Sequence, residues 1–267
     1  MILTFLGTGT STGVPQLRCK CEVCTSADPR DKRLRCSAML QTEEGAPSLL
    51  LDCGPDFREQ MLREDCPDLA AVLLTHSHYD HVGGIDDLRP YTHTYPGQHF
   101  PVYCRADVAQ DLRDRLPYCF REHPYPGVPQ FDLRIKQPGD KFDIDLGAGF
   151  RPAHVEALEV IHGKLPILGF RIGSLAYITD ASRIPDETMS RLQGVDTLVI
   201  NALRHDYHPS HQNLSQALDV INLTKPRKAY LIHMSHQIGF HEVVNSNLPE
   251  NVSLAFDGLK VRIYNND

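Results

Sequence analysis

Residues 70–84 read AAVLLTHSHYDHVGG. The first six, Ala70 to Thr75, make an apolar run with the length of a buried strand, and they deliver the chain directly into His76, Ser77, His78, Tyr79, Asp80 and His81. No other stretch is as dense in metal-ligand side chains. In extended backbone alternate side chains share a side, so His76 and His78 can grip one cation. Asp80 and His81 follow as the chain turns and can serve a second, because four donors within six residues exceed what one open catalytic site takes from a single segment. A lone His-X-His would read as a histidine-rich surface loop. The complete H-x-H-x-D-H pattern behind a buried strand argues against that.

Outward from this stretch, Ile2 to Leu6 is a short apolar run ended by Gly7, and Ser48 to Leu51 is another, ended by Asp52, Cys53 and Gly54. Further runs at Leu168 to Ile172, Ser174 to Thr179, Thr197 to Ile200 and Ala229 to Ile232 are each followed by polar residues able to converge on one edge. Helical periodicity is clearest in Asp56 to Glu64, in Ala106 to Leu116, and in Asn213 to Asn222, where Leu214, Leu218 and Ile221 recur at helical spacing. The pattern predicts a layered α/β or α+β fold, one domain over residues 1–267. Residues 86–130, rich in Pro, Tyr and His, read as irregular structure near a site opening or as a plain surface excursion.

Composition narrows the function. With 41% hydrophobic and 23% charged residues the chain of 267 is an ordinary globular sequence. No stretch approaches the roughly 18 apolar residues of a membrane span. The opening MILTFLGTGTSTGVP reads as a strand running into a glycine-rich loop and not as a signal peptide, so cytoplasmic residence is the default expectation. A net charge of -7 argues against a sequence-independent grip on nucleic acid and favours a small substrate. Of eight cysteines, Cys19, Cys21 and Cys24 form a C-x-C-x-x-C cluster that suits a structural metal, although unliganded thiols in a loop fit the same spacing. Cys36, Cys53, Cys66, Cys104 and Cys119 read as reduced and mostly buried.

Thr75 to His81, followed by Gly83 and Gly84, resembles the signature of the metallo-β-lactamase superfamily. The resemblance implies a four-layer αββα sandwich and three further ligands in a fixed order: an isolated His, a strand-ending Asp and a C-terminal His. His162, Asp180 and His233 occupy those places. On this resemblance His76, His78 and His162 hold one metal, Asp80, His81 and His233 the other, and Asp180 bridges them. Asp52 resembles the acidic residue that orients a ligand histidine through its free ring nitrogen; helix capping before Phe57 is its plainer alternative.

The stretch Leu6 to Pro15 with the cysteine triplet, His233-Met-Ser-His236-Gln and Phe256-Asp-Gly258 resembles the phosphodiesterases of the bacterial carbon–phosphorus lyase pathway, and more distantly the ribonuclease Z family. The basic or glycine/proline-rich arm of a tRNA-processing enzyme is missing from the sequence. The resemblance implies a dinuclear phosphodiesterase for a small, cyclic ribose or nucleotide phosphodiester. It also implies two divalent ions (Zn or Mn) in the active site, one structural Zn on Cys19, Cys21, Cys24 and His236, and a homodimer.

Asp80 and His211 are the expected catalytic residues: Asp80 can orient the attacking water, and His211 matches the position of the acid-like histidine. His205 and His208 lie close enough in sequence to take the role of His211, and any of the three can instead cap the helix starting near Gln212. Ser11 and Thr12 can line the site or merely end a strand. The same centre would also serve ester, thioester, lactone or β-lactam hydrolysis, or a tRNA-processing nuclease. An iron-holding redox protein and a nonenzymatic RNA-binding module are the rivals from other classes.

Overall fold

Ser48–Leu51 and Leu69–Leu73 are buried at every position, as strands covered on both faces must be. They lie at the centre of one of two seven-stranded sheets in the computed structural model, which describes residues 1–92 and 99–264. The strands of this first sheet are β1 (Ile2–Gly7), β2 (Ser37–Gln41), β3 (Ser48–Leu51), β4 (Leu69–Leu73), β5 (Phe100–Cys104), β6 (Phe131–Ile135) and β14 (Lys260–Arg262). Their order is β14-β1-β2-β3-β4-β5-β6. The second sheet holds β7 (Lys141–Ile144), β8 (Ala153–His162), β9 (Leu165–Ile172), β10 (Leu175–Ile178), β11 (Thr197–Asn201), β12 (Lys228–Ile232) and β13 (Val252–Leu254). It runs β13-β12-β11-β10-β9-β8-β7.

The helices are α1 (Glu22–Thr25), α2 (Phe57–Arg63), α3 (Tyr79–Val82), α4 (Arg89–Thr92), α5 (Ala106–Arg115), α6 (Asp186–Arg191), α7 (Leu214–Thr224) and α8 (His241–Asn245). Phe5, Leu40, Leu49 and Leu51 of the first sheet meet Leu168, Phe170, Tyr177 and Val199 of the second in the central layer. The outer face of the first sheet is covered by Phe57 and Met61 of α2 and by Val108 and Leu112 of α5. Ala217, Val220 and Ile221 of α7 cover the second. The layers are therefore αββα, as the sequence resemblance implies. Among the described residues no helix is long and apolar enough to cross a membrane.

Several strands escape the sequence reading. β7 is a short edge strand with two exposed charged residues, and β8 carries the partly exposed Glu156 and Glu159, so neither is a plain apolar run. β5 falls inside the stretch read as irregular; Pro101 marks it down, yet it pairs in parallel with β4 and β6 on both sides. Residues 93–98 of that stretch lie outside the described residues. β4 ends at Leu73, two residues before Thr75. Cys66 is exposed, whereas Cys36, Cys53, Cys104 and Cys119 are buried as expected.

β3 and β4 are parallel neighbours, and so are β10, β11 and β12. Their C-terminal ends therefore open toward one edge of each sheet, the place where open α/β sheets bind ligands.

Candidate metal centre

Four of the residues singled out from sequence stand at the exits of those strands and of β8: Asp52 after β3, His162 at the end of β8, Asp180 after β10 and His233 after β12. Asp52, Asp180 and His233 have φ of 62°, 56° and 56°. Left-handed backbone at a non-glycine residue costs energy and persists where surrounding bonds hold it. Here it swings each side chain off its strand axis toward the centre. Asp80 and His81 come from α3, and His76 and His78 from the segment between β4 and that helix.

Two donor groups result. Ligand atoms of His76, His78 and His162 lie within 4.8 Å of one another, as do those of Asp80, His81, Asp180 and His233. Asp180 Oδ2 is 3.2 Å from His81 Nε2 and its Oδ1 is 3.0 Å from His233 Nε2. Asp80 Oδ2 is 3.2 Å from His81 Nε2 and 3.5 Å from His233 Nε2. Asp180 also lies within 4.8 Å of the ligand atoms of His162 and His211, and only folding brings residues 76–81 beside 162, 180 and 233.

Hydrogen bonding fixes the tautomers. His162 Nδ1 sits 2.9 Å from the carbonyl of Asp180 and 2.7 Å from that of Ser210, and carbonyls only accept, so Nδ1 carries the proton and Nε2 a free lone pair. His81 Nδ1 faces Asp52 Oδ2 at 2.7 Å with the same result. Thr75 Oγ1 donates to Asp52 Oδ2 at 2.9 Å and therefore accepts from His76 Nδ1, 3.0 Å away. The Nε2 atoms of His76 and His81 are buried with no hydrogen-bond partner. Buried lone pairs of this kind, aimed at a common space beside two carboxylates, are the signature of a cation site and fit divalent metals.

Electrostatics agree. Burial, reinforced by neighbouring imidazoles, holds the pKa of His76 well below its ordinary value. Burial also opposes charge on His81 and His233, but the carboxylate of Asp180 and its neighbours outweigh it, raising His81 well above the histidine range and His233 to about 9. Burial opposes ionisation of Asp180 too, and the same histidines overcome it and hold its carboxyl well below the usual range. The centre thus carries fixed negative charge that demands positive charge beside it.

His211 Nε2 lies 3.0 Å from Asp180 Oδ1, and its Nδ1 lies 3.1 Å from Ser210 Oγ and 3.2 Å from His208 Nδ1. Burial lowers its pKa to about 4. His205 turns away, its Nε2 placed 3.0 Å from the Ile238 carbonyl. None of the three caps a helix: Asn213 caps α7 in a reciprocal box with Gln216. Nor does Asp52 cap α2, because both its oxygens are committed to Thr75 and His81. Ser11 and Thr12 are exposed, and the Ser11 carbonyl accepts from Arg35 Nε.

Cys19, Cys21, Cys24 and His236 form a further group with ligand atoms within 4.8 Å. His236 Nδ1 is 3.1 Å from Cys21 Sγ and 3.5 Å from Cys19 Sγ. That bond draws the Cys21 thiol down to about 6, while burial pushes Cys24 up to about 11. The sequence reading missed the threonines preceding two ligands. Thr75 links Asp52 to His76, and Thr179 Oγ1 donates to Asp180 Oδ2 at 2.6 Å. Their only sequence signal is the repeated Thr before a candidate ligand.

Known proteins resemble this chain along most of its length. The β-lactamase superfamily domain matches residues 48–234. A protein of Porphyromonas gingivalis named octanoyltransferase is 43% identical over 260 residues, covering 97% of this chain. The match takes in 51% of that relative, so this chain spans about half its length. A crystal structure of a diphosphatase from the PhnP family superposes with a TM-score of 0.87 at 39% identity, covering 97% of this chain and 96% of that one. Human short-form tRNase Z shares the fold, with a TM-score of 0.66 at 20% identity and coverage of 99% and 100%. The domain match and the sandwich carrying the H-x-H-x-D-H centre lead to one assignment: the chain belongs to the metallo-β-lactamase superfamily.

Proposed function

We propose that this protein is a dinuclear metal-dependent phosphodiesterase acting on a small diester, a cyclic ribose or nucleotide phosphate. The observation that supports the reading is the pair of neighbouring donor groups, with Asp180 in one of them and also within reach of His162 of the other, and with the buried Nε2 atoms of His76 and His81 lacking hydrogen-bond partners. His76, His78 and His162 would hold one cation, Asp80, His81 and His233 the other, with Asp180 between them. When bound, such cations polarise a phosphoryl oxygen and lower the pKa of coordinated water, making hydroxide available near neutral pH. Zn²⁺ and Mn²⁺ both suit imidazole and carboxylate donors, and the cysteine group favours a structural Zn²⁺.

The chain's own groups supply the rest. Asp80 would help to hold a cation and orient the attacking water beside it. His211 presents Nε2 beside Asp180, whose carboxylate favours the charged imidazole against the burial that opposes it, and on this reading that nitrogen passes its proton to the leaving alkoxide. The net charge of -7 supports a small substrate over RNA, and a homodimer is part of the same reading.

A second reading has its own support: the relative at 39% identity is a diphosphatase, so a phosphoanhydride is the alternative substrate. Attack at phosphorus is common to both. The octanoyltransferase name belongs to a chain about twice as long, whose unmatched half can carry that activity.

The test is hydrolysis of bis(p-nitrophenyl) phosphate by protein reconstituted with Zn²⁺ or Mn²⁺, with Asp80→Ala as control and metal content measured on the same samples. Activity confined to the intact enzyme supports a phosphodiesterase and directs screening to cyclic ribose phosphates. Turnover of a nucleoside diphosphate without diester cleavage favours the anhydride, and an inactive, fully loaded protein overturns phosphoryl chemistry in favour of thioesters and lactones.

A further inference from the structure

The ligand histidines are not held equally. His76 is fixed through Thr75, His81 through Asp52 and His162 through two carbonyls. His78 is exposed and its ring makes no hydrogen bond among the described residues; the buried Nδ1 of His233 is unpartnered too, but its Nε2 lies 3.0 Å from Asp180 Oδ1. Its ring is set only by neighbours, with centroids 4.5 Å from His76 and 5.1 Å from His162. A ligand histidine without a second bond needs its backbone fixed some other way.

Ser77, between the two histidines, supplies a point of attachment. Its hydroxyl donates to the Oδ2 of Asp111, a hydrogen bond that reaches from the metal-binding segment to the middle of α5. Asp111 forms no ion pair among the described residues, although Arg115 stands four residues further along the same helix, the spacing of a helical ion pair. The helix is anchored by packing. Val108, Ala109 and Leu112 are buried with Leu74, Val102 and Cys104, and the Leu74 N–H bonds the Tyr103 carbonyl at 2.9 Å just before the metal motif begins.

We propose that Asp111 is a positioning residue for the cation held by His76, His78 and His162: it clamps Ser77 to α5 and so fixes the direction in which His78 enters the centre. The clamp rests on the two-cation reading above. It is selective, because among the described residues the side-chain contacts of His81, Asp180 and His233 are to Asp52, Thr179, Asp80 and one another and none is to α5.

The test is titration of the full-length, metal-free chain with Co²⁺, whose thiolate absorption sets any ion on the cysteine group apart from those at the histidine centre. The intact protein is expected to take two ions at that centre. Asp111→Ala should keep one of them at unchanged affinity and bind the other about 10–100-fold more weakly. Ser77→Ala should do the same, and Asp111→Asn, which retains an oxygen for the Ser77 hydroxyl, should recover most of the loss. A thermal midpoint of the metal-free Asp111→Ala chain equal to that of the intact protein separates positioning from a merely structural role.

Unchanged affinity for both ions in Asp111→Ala overturns the clamp while the two-cation reading stands. Equal weakening of both ions, tracking a lower midpoint, also overturns it. An intact chain that takes no second ion at the histidine centre overturns the two-cation reading and the clamp with it.

Discussion

Asp52 Oδ2 lies 2.7 Å from Nδ1 of His81, with both side chains fully buried. The same carboxylate accepts the Thr75 N–H at 2.8 Å, so one acid at the end of β3 holds both the exit of β4 and a histidine of α3. Asp52→Ala strips three donors of their acceptor. Leaving a buried donor unpaired costs about 1–3 kcal/mol, and removing the partner of a ligand histidine costs about 10–100-fold in metal affinity. Urea unfolding and metal titration should show both losses. An Asp52→Ala chain with intact affinity would mean that His81 is oriented by other contacts.

His211→Ala should lower turnover of bis(p-nitrophenyl) phosphate by about 10²–10⁴-fold, the usual worth of a positioned proton donor, with both centre ions retained. Metal analysis beside the kinetics decides the matter. Because ligand atoms of His162, Asp180 and His211 also lie within 4.8 Å of one another, loss of an ion would identify His211 as a ligand and not an acid.

Cys24 is buried in a small apolar cluster with Val14 and Val23, and through the cysteine group the loop after β1 meets His236, more than 200 residues away in sequence. Cys24→Ser is expected to lower bound zinc by one ion per chain and the stability by about 2 kcal/mol, a fall of roughly 4–8 °C in thermal midpoint for a chain of this size. Zinc content equal to that of the intact protein would show that the thiols bind no structural ion.

A Cβ built on Gly54 meets the Asp80 carbonyl oxygen at 2.1 Å, and one on Gly84 meets the Gly54 carbonyl oxygen at 2.1 Å. Both obstacles are backbone, so no side-chain rotation relieves them. Gly54→Ala should therefore push α3 away from the loop after β3, costing about 1–3 kcal/mol or more and weakening the ion that Asp80 helps to hold. Calorimetry and metal titration check the two effects together. Full affinity in a stably folded Gly54→Ala protein would contradict this packing.

The fold was legible where burial on both faces leaves an uninterrupted apolar run, as in β3, β4, β10, β11 and β12. It was illegible in β5, β7 and β8, where Pro101, an exposed edge and the two glutamates of β8 disguise strands whose pairing comes from neighbours distant in sequence. Asn213 as the cap of α7, against the nearby histidines, follows from a capping box that the sequence contains as Asn213 and Gln216.

By itself the sequence determined the residue types and spacing of the centre, because His76, His78, Asp80 and His81 are neighbours whose geometry follows from a strand running into a turn. It determined the cysteine triplet for the same reason. Only the tertiary structure decided which distant groups join them, since His162, Asp180 and His233 reach the centre from the ends of β8, β10 and β12 in the second sheet, the last two through left-handed backbone at Asp180 and His233. Tertiary structure alone also put Asp111 against Ser77 and turned His205 away. Such contacts are made by whole elements packed through their apolar faces, and no local spacing carries that information.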